Sequence, residues 1–242
     1  MPSQLGLFSL WTQGDWITKA VALMLLSMSL ASWLVMLLKA IDLYTFKGLS
    51  RNTEGFWHSA DFDAGLDALG PQTANPFVQL AQSGQQASQH HRHSQSQLHD
   101  ALDISDWISR ALRQAVDDSS ARLQAGLAVL ASVGSTAPFV GLFGTVWGIY
   151  HALMGIGVSG QASIDLVAGP IGESLVMTAL GLAVAIPAVL GYNALVRGNK
   201  SALTQLSRFA HDLHAYFVTG ARVGNPQRDG QTPSLVLPLK KA

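Results

Sequence analysis

The chain has 242 residues, 48% of them hydrophobic and only 12% charged, whereas soluble domains carry about 25% charged residues. No Lys, Arg, Asp or Glu stands between Lys19 and Lys39, between Arg122 and Asp165, or between Glu173 and Arg197, which argues against a water-soluble globular enzyme and for an integral membrane protein. Fifteen basic residues balance fifteen acidic ones and there is no cysteine, so nucleic-acid binding, disulfides, thiol catalysis and Cys-ligated metals all lose their basis.

Residues 1–15 precede the first apolar run. Ala20 to Leu38 is 19 uncharged residues, ~28 Å as helix and about one hydrocarbon thickness. Trp16 and Lys19 at one end and Lys39 and Tyr44 at the other suit interfacial anchors, so 16–39 is read as a transmembrane helix. A cleaved signal peptide is the rival reading; the apolar run is too long for one and lacks a basic start.

Residues 40–122 are too long for a structureless loop and read as short helices. Gly70-Pro71 is a break, and Asn75-Pro76 has the form of a cap followed by a first-turn proline. Gln82 to Gln97 is poor in apolar residues and is expected to be solvated and mobile. It holds His90, His91 and His93, but adjacent histidines in a Gln/Ser-rich run are ordinarily solvated, so no metal and no cofactor is expected.

The second gap, Leu123 to Ile164, is 42 residues, too long for one span and without a central turn signal. Ile104, Ile108, Ala111 and Ala115 already share a helical face ahead of it. A single helix from about Asp103 to Met154 is therefore expected, with its membrane part in 123–155 and a loop at 156–168 set by Gly155, Gly157 and Gly160. The third span, 169–196, opens at Gly169-Pro170, where proline suits a first turn. It continues as an amphipathic helix through 197–219, with Leu203, Leu206, Ala210, Leu213 and Phe217 on one face. The Gly/Pro-punctuated tail 220–242 reads as disordered. Seven basic residues in 39–122 and seven from Arg197 onward, with none in 156–168, put both polar segments in the cytoplasm and the N-terminus outside. The fold class is all-α, with three membrane helices and a helical cytoplasmic loop.

Two spans carry stripes of small residues: Gly134, Ala137, Gly141, Gly144, Gly148 and Gly155 on the second, Ser174, Thr178, Gly181, Ala185 and Ala188 on the third. Lipid supplies no hydrophobic drive between helices, so such stripes predict close packing, within one chain or between copies. The first span is bulkier and is expected to face lipid. Pro138 and Pro187 lie inside the second and third spans and each frees a carbonyl, a potential kink. Glu173 is the acid nearest membrane depth. A carboxyl kept from water favours its protonated form and can exchange protons; alternatively Glu173 sits in a first helical turn at the interface, favoured by the helix dipole. Thr145 and Thr178 are polar neighbours that extend a path or simply bond their own backbones.

At these residues a likeness emerges. Gly134-Ser-Thr-Ala-Pro-Phe-Val-Gly-Leu-Phe-Gly-Thr-Val-Trp-Gly-Ile149 resembles the signature of the ExbB/TolQ/MotA family of proton channel proteins. So does Gly169-Pro-Ile-Gly-Glu-Ser-Leu-Val-Met-Thr-Ala-Leu-Gly-Leu-Ala-Val-Ala-Ile-Pro-Ala-Val189, followed by Tyr192-Asn193. The likeness covers about residues 123–220. One departure is Gly169-Pro170-Ile171-Gly172, where many members have Pro-Gly-Ile-Ala. Within the family, Met177-Thr178-Ala-Leu-Gly and Phe209-Ala-His-Asp-Leu-His-Ala215 suit the ExbB branch better than TolQ. The resemblance implies a non-enzymatic pentamer in the bacterial inner membrane, with a pore lined by the second and third spans. It also implies an ExbD-like single-span partner in that pore and a TonB-like protein beside it. The proton gradient would then drive outer-membrane uptake of iron-siderophores and cobalamin. By motif, Glu173 falls on the family's membrane glutamate, and Thr145 and Thr178 on its pore threonines. A TolQ-like envelope role and a structural scaffold remain as alternatives.

Overall fold

The structure is a computed structural model that describes residues 15–71, 75–93, 104–159 and 164–220. All regular structure among them is helical: α1 (Trp16–Leu49), a short 3-10 turn (Ser50–Asn52), α2 (Thr53–Trp57), α3 (Phe62–Ala68), α4 (Pro76–His93), α5 (Ile104–Gln124), α6 (Leu127–Ser159) and α7 (Ile164–Thr219). Three helical stretches are long and apolar enough to cross a membrane, within 16–57, 104–155 and 168–219.

Two cores result, each from the solvent its residues meet. In the membrane bundle, Val21, Leu25, Val133, Ala137, Met177, Ala185 and Ala188 pack between α1, α6 and α7. The outer faces stay apolar and exposed: Leu23, Leu26, Leu30 and Trp33 on α1, Phe139 and Phe143 on α6, Ile186 and Leu190 on α7. Apolar side chains exposed at this density are stable only in hydrocarbon. In the polar part of the chain, the end of α1, α2–α5 and the far end of α7 enclose a second core of Phe46, Phe56, Leu69, Phe77, Ile108, Leu206, Phe209 and Leu213. Phe209 joins it edge-on to Phe56 and Phe77, with ring centroids 5.4 Å and 5.7 Å apart. The amphipathic face read at 203–217 lines this core.

Asn75 caps α4 with its Oδ1, accepting from the N–H groups of Phe77 (3.0 Å) and Val78 (3.5 Å). The expectation of a mobile stretch from Gln82 fails as far as His93, which is helical. Its polar composition hid small residues at helical spacing: Ala81, Gly84 and Ala87 turn inward, and Gly84 lies against Phe217 and Leu112. Residues 94–97, the side chains of His90, His91 and His93, residues 1–14 and the tail from 221 lie outside what the structure describes.

The expected single helix from Asp103 to Met154 is two helices, broken at Ala125-Gly126. Gly126 has φ +85°, a conformation that L side chains avoid. The break opens the last turn of α5, whose carbonyls are met by one local donor and two from other helices. Ala121 O accepts Ala125 N–H at 3.0 Å, Arg122 O accepts Lys39 Nζ–H at 2.9 Å, and Leu123 O accepts from the buried Asn199 Nδ2 at 2.8 Å. Beyond, α6 runs through Gly155 and Gly157 to Ser159, further than the glycine cluster suggested. The third membrane helix likewise begins earlier than Gly169-Pro170, at Ile164. Pro170 is thus internal, and Ser174 Oγ–H bonds its carbonyl at 2.7 Å.

Gly126→Ala is expected to lower unfolding stability by about 1–2 kcal/mol, from left-handed strain and from Val35 Cγ1 standing 3.3 Å from the added methyl. Unfolding titrations in mixed micelles measure it, and an unchanged midpoint would show that the break relaxes freely.

Candidate functional site

The site is built where α6 and α7 touch backbone to backbone. A Cβ on Gly141 would lie 2.6 Å from Met177 O and 3.1 Å from Gly181 Cα; one on Gly181 would lie 2.6 Å from Ala137 O. Neither position admits any side chain. Gly148 is closed by Ser174 and Gly134 by Val189, while Ala185 is buried near Ala137 and Ala188. The two stripes therefore face one another within one chain. Gly144 differs: it looks toward Val21 of α1 as well as Met177, so it sits where three helices meet. Gly155 has nothing within 4 Å and belongs to no such contact.

The close approach brings two hydroxyls together. Thr145 on α6 is buried, at 6% exposure, and its Oγ1 lies 2.5 Å from Thr178 Oγ1 on α7. Ser174 O is 2.9 Å and Gly141 O 3.1 Å from the same atom. Each hydroxyl has one proton. One threonine must donate to the other, which leaves Thr145, when it is the acceptor, free to donate to Ser174 O. The pair is thus a cross-helix bond whose direction reverses by rotating two O–H groups.

Glu173 does not join it. It lies five residues before Thr178, ~7.5 Å along the axis and about 140° around it. It shares a side of α7 with Leu180, Val184, Gly191 and Gly198, and on that side Gly191 meets Met36 and Gly198 meets Leu43 of α1. Glu173 is half-buried and forms no ion pair or side-chain hydrogen bond among the described residues. Because α7 begins at Ile164, Glu173 is not in a first turn. Ser174 packing on Gly148 sets it level with the turn Trp147–Tyr150, the aromatic level expected at a bilayer interface. Pro138 and Pro187 each lie inside a continuous helix and deprive Gly134 O and Ala183 O of their helical donors. Among the described residues no group of three or more His, Asp or Glu side chains stands close enough to hold a metal ion.

Sequence reasoning overlooked three features. Gly191 and Gly198 take the bulk of Met36 and Leu43 at matching seven-residue spacings, a signal that appears only when both helices are compared. Asn199 is a lone buried amide on an otherwise amphipathic turn. Asp15 and His151, 136 positions apart, meet through Oδ2 and Nε2 at 2.6 Å, a contact that no local pattern announces.

The MotA/TolQ/ExbB proton channel family matches residues 75–208. A protein named biopolymer transport protein ExbB from Xanthomonas campestris pv. campestris is 44% identical over 232 residues, 91% of this chain and 92% of its own. One of the same name from Neisseria meningitidis is 44% identical over 204 residues, 83% of this chain and 92% of its own. A Tol-Pal system protein TolQ from Pseudomonas aeruginosa is 32% identical over 213 residues, 87% of this chain and 91% of its own.

Gly141→Leu is expected to destabilise the α6–α7 contact by about 1–3 kcal/mol or more, and Gly155→Leu by no more than about 0.5 kcal/mol. Steric-trap or denaturant unfolding of the two variants compares them directly, and equal losses would refute the one-chain helix contact as the reason for the glycines.

Proposed function

The chain belongs to the MotA/TolQ/ExbB proton channel family, and we propose that it serves as the ExbB-type subunit of a proton-driven complex in the bacterial inner membrane. The observation that carries this reading is the Thr145–Thr178 pair, held by glycine contacts between two helices that are long and apolar enough to cross a membrane and whose opposite faces are apolar. A hydroxyl pair that switches donor and acceptor by rotation suits transient proton handling and needs no ionised group in the span.

In this reading several copies, five by family resemblance, surround an ExbD-like single-span partner. The threonine-bearing sides of α6 and α7 line the path, and a proton passes between an acid on the partner helix and this polar ring. Glu173, at the interface level, feeds or tunes the path from the mouth. The N-terminus and the connection between α6 and α7 lie in the periplasm, and the helical domain and C-terminus lie in the cytoplasm, as the distribution of Lys and Arg supports. A TonB-like protein carries the work to outer-membrane uptake of iron-siderophores and cobalamin. The TolQ-like alternative has weaker support, with the TolQ relative at 32% identity against 44% for the two ExbB relatives.

In a strain lacking its own copy, Glu173→Gln is expected to abolish growth on a ferric siderophore as sole iron source, with protein level and assembly unchanged. Thr178→Val is expected to do the same, since it removes one member of the hydroxyl pair. Wild-type growth of both variants would overturn the proton-path assignment. Restored envelope integrity without restored siderophore growth by the unaltered chain would favour the TolQ-like role.

A further inference from the structure

At the end of the membrane bundle farthest from the helical domain, an acid and a base meet. Asp15 is the residue just before α1, and His151 lies on α6 two turns before its end. Asp15 Oδ2 is 2.6 Å from His151 Nε2, and the two side chains are 49% and 42% exposed. Aspartate is among the strongest helix N-caps because its carboxylate accepts from the free N–H groups of the first turn. Asp15 occupies that position, yet its side chain makes no capping bond to α1. Only its backbone oxygen serves the helix, accepting Lys19 N–H at 3.0 Å. The carboxylate has left its favourable local donors for a partner on another helix.

The imidazole is placed for a positive charge on a second side as well. The Trp147 ring lies with its centroid 4.7 Å from that of His151, tilted by 48°, and Tyr150 follows at 5.7 Å. An indole face attracts a cation within about 6 Å. Among the described side chains, the other charged groups near this end are Lys19 on α1 and Glu173 on α7. Neither forms an ion pair with Asp15 or His151 among the described residues. His151 stands six residues beyond Thr145, about 120° from it around α6, on the side toward α1. It is separated from the threonine pair in direction as well as in height.

We infer that Asp15 and His151 form a second proton-binding site, distinct from Thr145, Thr178 and Glu173, in which proton uptake by His151 clasps the start of α1 to the end of α6. Imidazole is the side chain that ordinarily changes charge between pH 5 and 8. Protonated, both ring nitrogens donate, and Nε2–H gives the carboxylate a charge-assisted bond. Neutral, the ring offers Asp15 at most a weaker N–H, and in the other tautomer none. The rest of α1 is fastened independently by Val21, Leu25, Met36 and Leu43. Loss of the proton therefore loosens only the first turns of α1, a local opening rather than unfolding. On the orientation proposed above, this end faces the proton-rich side, so the clasp tightens as the gradient builds. Proton binding itself depends neither on that orientation nor on the family role.

The test is hydrogen–deuterium exchange of the full chain in lipid nanodiscs at pH 5.5 and pH 8.0, corrected for intrinsic exchange, read on the peptide covering residues 15–22. In the unaltered chain, protection is expected to be about three- to five-fold greater at the lower pH, the size of effect a half-exposed ion pair supports. His151→Gln and Asp15→Asn, which keep shape and a hydrogen bond, are each expected to abolish that difference. Peptides from 127–140 serve as the internal reference, and their unchanged protection shows that the bundle remains folded. Absence of a pH difference in the unaltered chain, or a difference that survives in both variants, overturns the inference. Siderophore growth is not the readout, so failure here leaves the transport reading standing, and failure of that reading leaves the clasp standing.

Discussion

Everything in the membrane half of this protein depends on α6 and α7 approaching until only hydrogen fits between their backbones. In water, apolar side chains would draw two such helices together whatever their shape. In hydrocarbon that drive is absent, and association rests on dispersion contacts and hydrogen bonds that act only at short range. Gly141 and Gly181 remove the side chains that would hold the axes apart. The threonine pair follows from the glycines: with the axes one methyl group further apart, Thr145 Oγ1 would lose both Thr178 and Ser174 O. The hydroxyls are then a product of the packing rather than its cause, since one such bond in a membrane contributes only about 0.6 kcal/mol.

The second constraint acts where the membrane bundle meets the helical domain. A positive-φ glycine between α5 and α6 would be a free hinge if the last carbonyls of α5 faced water. Lys39 from α1 and Asn199 from α7 bond two of those carbonyls instead, so the break is tied to both other long helices. Helix α7 passes through this junction without interruption and carries 56 residues from membrane bundle to aromatic core. Because the helix stays continuous past Pro187, a movement of α7 in the membrane bundle would be carried on to Phe209 and Leu213 in the helical domain. This is a rigid-element argument for coupling, and it assigns Asn199 the role of holding α5 in register with α7.

The three charge-free gaps and the two small-residue stripes made the architecture legible, because both signals are local and periodic. The Asn75 cap was legible for the same reason. The break at Gly126 was not, since a single glycine in an apolar run looks the same whether its φ is negative or positive. The start of α7 was misplaced because proline favours a first turn but is tolerated later, where Ser174 offers its hydroxyl to the Pro170 carbonyl. The continuation of α4 past Gln82 was hidden by its glutamines, which read as a solvated segment although Ala81, Gly84 and Ala87 supply an inner face. The contacts of Gly191 with Met36 and of Gly198 with Leu43 join positions 155 apart in sequence, and only two helices aligned in register could reveal them.

The candidate site shows the same division. Glu173, Thr145 and Thr178 were read together as polar neighbours; the structure joins the two threonines by a hydrogen bond, whereas Glu173 stands on another side of α7. The helical angle decides this: five residues carry a side chain most of the way to the opposite face. Any proton exchanged between Glu173 and the threonine pair would therefore cross from one side of α7 to another, and the hydroxyl that stands between them on α7, that of Ser174, donates to the Pro170 carbonyl. Within one chain the hydroxyl pair also terminates on a backbone carbonyl, which accepts but cannot pass a proton on. In the role proposed above, a single copy would then hold parts of a proton route without a continuous one. Under that proposal, continuity would need a titratable group supplied from outside the chain, placed against the Thr145–Thr178 side of the α6–α7 contact.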